Sequence, residues 1–203
     1  MITFGLTGGI ACGKSAVTKT FRKNNIPIVD ADVVAREVVI PGSIGNDKIM
    51  SRFGFPYFNQ DGTLDRAKLA GLVFANHLAM TELNRIMKPL IESESDRQIA
   101  ALHNEGNSIV GYDAALIIEQ GNADKYRPLI VVSCPPVMQI ERLMRRNDLT
   151  EAQAMSRINA QMSVEEKVKL ADYVVDTSGS IENSINATLL IIELLKNRLT
   201  INS

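Results

Sequence analysis

Short apolar runs alternate with segments of helical spacing along most of the chain. "ITFGL", residues 2–6, is a short strand that leads straight into a glycine-rich loop. "SAVTKTFRKN" then has helical spacing, with Val17 and Phe21 on one face. "IPIVDAD" predicts a second strand ending in two acids, Asp30 and Asp32. A helical pattern resumes near Val33 and stops at Pro41-Gly42. Residues 57–63, "YFNQDGT", form a turn-rich break, and 64–103 is helical again, with Pro89 expected to kink or end a helix. "NSIVGYDAAL" predicts a third strand with Asp113 at its end, and "PLIVVSC" a fourth, followed by Pro135-Pro136. Helices are predicted over 137–146 and from Thr150. Thr150 with Gln153, and Ser163 with Glu166, have capping-box spacing. "DYVVDT" is a short fifth strand, and Ser180 opens an amphipathic helix to about residue 199 that should pack on the core.

This alternation implies an α/β fold: a five-stranded, mostly parallel sheet with helices on both faces. Such sheets bind ligands at the carboxyl ends of their strands. The glycine loop, Asp30, Asp32, Asp113 and the segment after Cys134 would converge there. Neither an internal repeat nor a low-complexity linker interrupts the chain. A single domain over 1–203 is expected, with a core of 1–56 and 104–203 and a helical insertion at about 57–103 covering the site.

Composition narrows the classes. The 203 residues are 45% hydrophobic and 22% charged with a net charge of -1, an ordinary soluble globular balance. That balance argues against a nucleic-acid partner, since the densest basic cluster is only "RLMRR". No apolar run reaches the roughly 18 residues of a membrane span, and "LLIIELL" is broken by Glu193. The amino terminus lacks the basic region of a signal peptide. Cys12 and Cys134 have no metal-ligand spacing and suggest no disulfide framework, so a reducing cytoplasm is the expected setting.

"GLTGGIACGKSAVTK" carries the chemistry. Gly8, Gly13, Lys14 and Ser15 satisfy G-x-x-x-x-G-K-[ST], with a strand before and a helix pattern after. Glycines let successive N–H groups curl inward around a phosphate, and the following helix adds its dipole. Gly8, Gly9, Ile10, Ala11, Cys12, Gly13, Lys14, Ser15 and Ala16 are therefore the expected ATP cradle. Lys14 would reach the β- and γ-phosphates, and the Ser15 hydroxyl would hold Mg²⁺. Cys12 has two readings: a redox thiol with its pKa lowered by the helix terminus, or a small residue filling the loop whose alkylation would block nucleotide by bulk.

Regulatory GTPases share this loop, but no lysine here is preceded by Asn and followed two places on by Asp. A motor ATPase would need more chain. What remains is a small-molecule kinase, which needs an acid to activate the acceptor, cations over the phosphoryl group, and a lid against water. Asp30 and Asp32, in an extended segment, would point the same way. Asp32 is the candidate base, and Asp30 either orients it or caps the next helix. Arg142 and Arg146, four apart, would share a helix face over the phosphates, while Arg145 points to solvent.

The chain resembles the dephospho-CoA kinase family. The resemblance rests on "GLTGGIACGKS", "DADVVAREVVIPG", "DGTLDRAKLAGLVF", "LNRIMKPLI", "QIERLMRRND", "RINAQM" and "KLADYVVDTSGS", spread over nearly the whole chain. It implies a P-loop NTPase fold and transfer of phosphate from ATP to the ribose 3′-hydroxyl of dephospho-CoA. It makes Asp32 the base, Lys14 and Arg142 the groups that stabilise the transferred phosphoryl, and Arg36 a contact to substrate phosphate. It places a lid at about 139–155, with ATP contacts at Arg142, Arg146, Thr177 and Gly179, and substrate contacts at Lys88 and Leu116. The implied partners are ATP, dephospho-CoA and Mg²⁺, with no nucleic acid and no membrane; oligomeric state is left open.

Three positions depart from the family pattern. Lys88 stands before Pro89 where the family has histidine, Ala115 replaces a proline, and Thr177 replaces an asparagine beside the adenine. The change at Ala115 is expected to loosen its loop. Arg157 and Gln161 either meet the lid or pair locally, Asp172 is a packing partner for a cation, and His77 and His103 are surface residues. Two other readings stay open: a P-loop kinase for a nucleoside, shikimate or gluconate, and a nucleotide-binding sensor without turnover.

Overall fold

The computed structural model describes residues 1–201. The predicted strands become β1 (Ile2–Gly8), β2 (Ile28–Asp30), β3 (Ile109–Asp113), β4 (Leu129–Ser133) and β5 (Tyr173–Asp176). They form one sheet in the order β2-β3-β1-β4-β5, and the pairs β1–β3, β1–β4 and β4–β5 are parallel. Register fixes what shares the carboxyl edge. Leu6 lies opposite Asp113, Gly8 opposite Val132, and Ser133 opposite Asp176.

The chain divides into two compact units, residues 1–29 with 101–203, and residues 30–100. In the first, alternate strand residues point to one face. Phe4, Leu6, Ile130, Val132 and Val175 are buried with Val17 and Phe21 of α1 (Lys14–Lys23) in one apolar cluster. Ile191, Ile192 and Leu195 complete it from the long last helix, Ile181–Ile201. That helix is therefore core packing, as its pattern implies.

The second unit holds α2 (Ala31–Glu37), α3 (Ile44–Phe53), α4 (Arg66–Ala75) and most of α5 (His77–Asn104). It begins at Asp30 rather than 57 because Val39 and Ile49 share an apolar cluster with Leu69, Val73, Ala79 and Ile86. α5 runs through Pro89 without a boundary. The proline removes one amide from the helical ladder, and the flanking turns continue it.

Local chemistry explains the helix ends. The remaining helices are α6 (Pro136–Asn147), α7 (Glu151–Asn159), α8 (Val164–Lys169) and α9 (Ile181–Ile201). Thr150 with Gln153, and Ser163 with Glu166, both form complete capping boxes. His103 corrects the surface expectation: it is half-buried, 2.9 Å from the Thr3 hydroxyl and 2.7 Å from the Asn107 carbonyl. A carbonyl only accepts, so Nδ1 carries a proton and donates it to Asn107. His77 is exposed, as expected.

Asp172 holds a cation, as its sequence position suggests. Its Oδ2 accepts from the Leu129 amide at 2.6 Å and from Arg127 at 2.9 Å, tying β5 to β4. Burial pushes its pKa up, but that amide and guanidinium outweigh it and leave it below the ordinary carboxylate range. Asp172→Ala leaves the buried Leu129 amide unpaired and should cost about 1–3 kcal/mol. A lowered folded pKa means the stabilisation is full above about pH 4 and lost as pH falls through the folded value. Thermal melts across pH should show the gap between wild type and variant narrowing in acid; a constant gap would remove the ionic part of this account.

Candidate active site

The glycine loop leaves β1 at Gly8 and enters α1 at Lys14. Its backbone needs unusual dihedrals. Gly13 caps α1 at φ 82, and Ala11 sits at φ 62, a left-handed conformation costly for a residue with a Cβ. Such a turn survives only if its surroundings hold it, and they do. The Ile10 carbonyl accepts from Gln139 at 2.8 Å, with Gln139 only 3% exposed. The Cys12 carbonyl accepts from the Thr177 hydroxyl at 2.7 Å. Arg142 donates to the Thr177 hydroxyl at 3.2 Å and to the Thr177 carbonyl at 2.8 Å.

Lys14 forms an ion pair with Asp113. Asp113 is buried at the end of β3 and also accepts from the Thr18 hydroxyl at 2.8 Å. Ser15 is exposed on the first turn of α1. This edge thus presents an ammonium, a hydroxyl, a carboxylate and the amides of the loop. Asp113 and Thr18 have no assigned role in the sequence reading. The signals were there: an aspartate ending the strand beside β1, and a threonine one helical turn after Lys14.

The segment after Asp113 is tethered. The Ala115 carbonyl accepts from the Thr7 hydroxyl at 3.0 Å and from the Lys167 ammonium at 2.8 Å. Lys167 is fully buried and pairs with Glu119 at 2.8 Å, while Glu119 also accepts from the Met162 amide at 3.1 Å. The segment is therefore held without the family proline. Leu116, on this segment, stays 38% exposed.

Other expectations change. Thr177 is buried with its hydroxyl turned onto the loop, so it serves the loop. Gly179 is exposed on the turn after it. Arg146 is exposed and donates to Asn147 at 2.9 Å. Arg145 and Arg157 are exposed, and Gln161 keeps its Oε1 buried without a hydrogen-bond partner among the described residues. Cys12 is fully buried, and its thiol pKa is raised, not lowered. The cause is the hydrogen bond to Cys134 with burial behind it: the sulfur faces the core, not the helix axis.

In the second unit, Asp30 and Asp32 do not share an extended segment. Asp30 is the helix cap, accepting from the Asp32 and Val33 amides at 2.8 and 3.3 Å. Asp32 lies in the first turn of α2, exposed, its carboxylate without a hydrogen bond or ion pair among the described residues. Arg36 is one turn on, also exposed. Arg66 donates to the Ala35 carbonyl at 3.3 Å, and its pKa is lowered by burial and by the charge of Arg36. Two neighbouring cations, neither of them in an ion pair among the described residues, suit an anion. Arg66 was missed because its nearness to Arg36 depends on how α4 packs. Lys88 is exposed on α5, with its Nζ 4.0 Å from Glu92.

Residues 2–183 match the model of the dephospho-CoA kinase family. The chain belongs to this family. A dephospho-CoA kinase of Bacillus cereus is 43% identical over 180 residues, covering 89% of this chain and 90% of its own. Solved structures are similar as well. A Thermus thermophilus protein superposes with a TM-score of 0.81 at 27% identity, covering 95% of this chain and 96% of its own. A dephospho-CoA kinase from Campylobacter jejuni gives 0.73 at 25% identity with the same coverage. The fold is that of the P-loop NTPases, and as in the rest of the dephospho-CoA kinase family it carries an ATP-dependent kinase.

The buried Lys167–Glu119 pair generates a test. Lys167→Met removes one partner and strands the other, a loss of about 3–5 kcal/mol when both are buried and less here because Glu119 is 21% exposed. Lys167→Met with Glu119→Gln should recover part of the lost Tm. A double variant no more stable than the single would show that the pair is not what holds this segment.

Proposed function

We propose that this protein transfers the γ-phosphate of ATP to the ribose 3′-hydroxyl of dephospho-CoA, giving CoA and ADP. One observation carries the reading: in a chain matching the dephospho-CoA kinase family over residues 2–183, the phosphate loop and its Lys14–Asp113 pair are intact. The loop amides and the Lys14 ammonium hold the β- and γ-phosphates of ATP. Arg142, fixed at the loop by Thr177, spreads the charge of the phosphoryl group in transfer.

Asp32 takes the proton of the ribose hydroxyl. The freed oxygen pair attacks phosphorus, and the bond to the β-phosphate oxygen breaks as ADP leaves. An exposed carboxylate with no partner among the described residues can accept that proton. Arg36 and Arg66 receive the substrate's phosphates, with Lys88 and Leu116 as further substrate contacts. The lid is the segment of about 139–155, whose first turn is tied to the loop through Gln139 and Arg142.

The Ser15 hydroxyl and the Asp113 carboxylate are hard oxygen donors, and they fit Mg²⁺, which keeps most of its waters and takes few protein ligands. Bound there with ATP, Mg²⁺ neutralises phosphate charge. The setting is the cytoplasm, where ATP is supplied; among the described residues no helix is long and apolar enough to cross a membrane.

Asp32→Asn should lower kcat by orders of magnitude and leave the Kd for ATP nearly unchanged. Single-turnover kinetics with calorimetric ATP titration separates the two. A variant with wild-type kcat would remove Asp32 as the base.

A further inference from the structure

The two cysteines lie 122 residues apart in sequence, yet their sulfurs are 3.2 Å from one another. Cys12 belongs to the phosphate loop, and Cys134 sits where β4 passes into α6. Both are free thiols. Cys134 is almost buried, but it lines a cavity of about 620 Å³ together with Gly9, Pro135, Gln139 and Met162. Gln161, whose buried Oε1 has no hydrogen-bond partner among the described residues, lines the same cavity. The cavity has room for water or peroxide, and of the two cysteines it is Cys134 that lines it.

We propose that Cys134 and Cys12 form a peroxide-sensitive site that closes into a disulfide and switches off nucleotide binding. This goes beyond the kinase reading, since the bond forms or fails to form whatever the acceptor is. In the first step the Cys134 thiolate attacks one peroxide oxygen. A sulfur–oxygen bond forms, the oxygen–oxygen bond breaks, and hydroxide leaves to take a proton. In the second step Cys12 attacks the Cys134 sulfenic sulfur. A sulfur–sulfur bond forms, the sulfur–oxygen bond breaks, and the departing hydroxide takes the Cys12 proton. Two thiols are oxidised and one peroxide becomes two waters.

The order of attack follows from the surroundings. The Cys134 pKa lies below the ordinary thiol value because Cys12 hydrogen-bonds to it; Arg142 and Thr177 add to the shift, against burial and Asp176. Cys12 is shifted up, so it stays a thiol until the sulfenic acid is beside it. Closing the pair means drawing sulfurs 3.2 Å apart to about 2.0 Å. Cys12 has little freedom to move without the loop: its amide donates to the Gly9 carbonyl at 3.1 Å, and its carbonyl is held by Thr177. Disulfides of this kind in reducing compartments are transient and redox-sensing.

The test treats the reduced wild-type protein with hydrogen peroxide, digests it with trypsin under non-reducing conditions, and titrates ATP in parallel. The expected result is a linked pair of peptides, 1–14 with 126–142, an ATP affinity at least tenfold weaker, and recovery of both with dithiothreitol. Recovery separates this from methionine oxidation, which dithiothreitol does not reverse. Cys134→Ala should keep its ATP affinity before and after peroxide. Absence of the linked peptide, a linked protein that still binds ATP as before, or a Cys134→Ala protein inactivated as fast as the wild type would each overturn the proposal. If that variant does not fold, the linked peptide and the ATP titration of the wild type still decide.

Discussion

The Thr177 hydroxyl on the Cys12 carbonyl, 2.7 Å long and buried, joins the parts on which the rest of the donor site depends. A phosphate loop is a poor structure by itself: Ala11 and Gly13 adopt left-handed backbone, and the amides must point at a ligand rather than at each other. Thr177 comes from the end of β5, accepts Arg142 from α6, and lies 3.1 Å from the Ser133 carbonyl of β4. One side chain thus fastens the loop to two neighbouring strands and to the helix that carries the arginine. The parallel register makes this possible, because it brings Gly8, Ser133 and Asp176 to the same edge of the sheet. Losing the family asparagine at this position leaves a buried hydroxyl that supports the loop.

Charge on the same edge is balanced in advance. Lys14 rests against Asp113, and Asp113 is also held by Thr18. Next to them, Thr7 and the buried Lys167 fix the Ala115 carbonyl. The polar groups under the loop therefore have partners before any nucleotide arrives, which is how buried polar atoms avoid a desolvation cost. In the second unit the pattern differs. The Asp32 carboxylate carries no partner among the described residues, and Arg36 stands beside Arg66, so that surface keeps charges available for a ligand.

Local signals were legible in the sequence. Both capping boxes, all five strands and the long last helix follow from spacing and cap chemistry within a few residues. The loop was legible because its lysine and glycines occupy fixed positions in a contiguous motif. What could not be read were relations that only packing creates. Cys12 with Cys134, Thr3 with His103, and Lys167 with Glu119 are pairs from distant segments. The start of the helical unit at Asp30 depends on Val39 and Ile49 joining an apolar cluster made by later helices. Asp30 and Asp32 were misjudged in geometry, since the cap that Asp30 provides starts the helix two residues before Val33.

The central claim is that this phosphate loop delivers the γ-phosphate of ATP to a ribose hydroxyl of dephospho-CoA. The most direct measurement is steady-state ADP release from Mg²⁺-ATP, with 3′-dephospho-CoA and with adenosine, AMP or shikimate in separate reactions. The account predicts stimulation by dephospho-CoA alone, with CoA formed in equal amount to ADP. Equal or greater stimulation by one of the other acceptors, or tight ATP binding without ADP release under any of them, would contradict it.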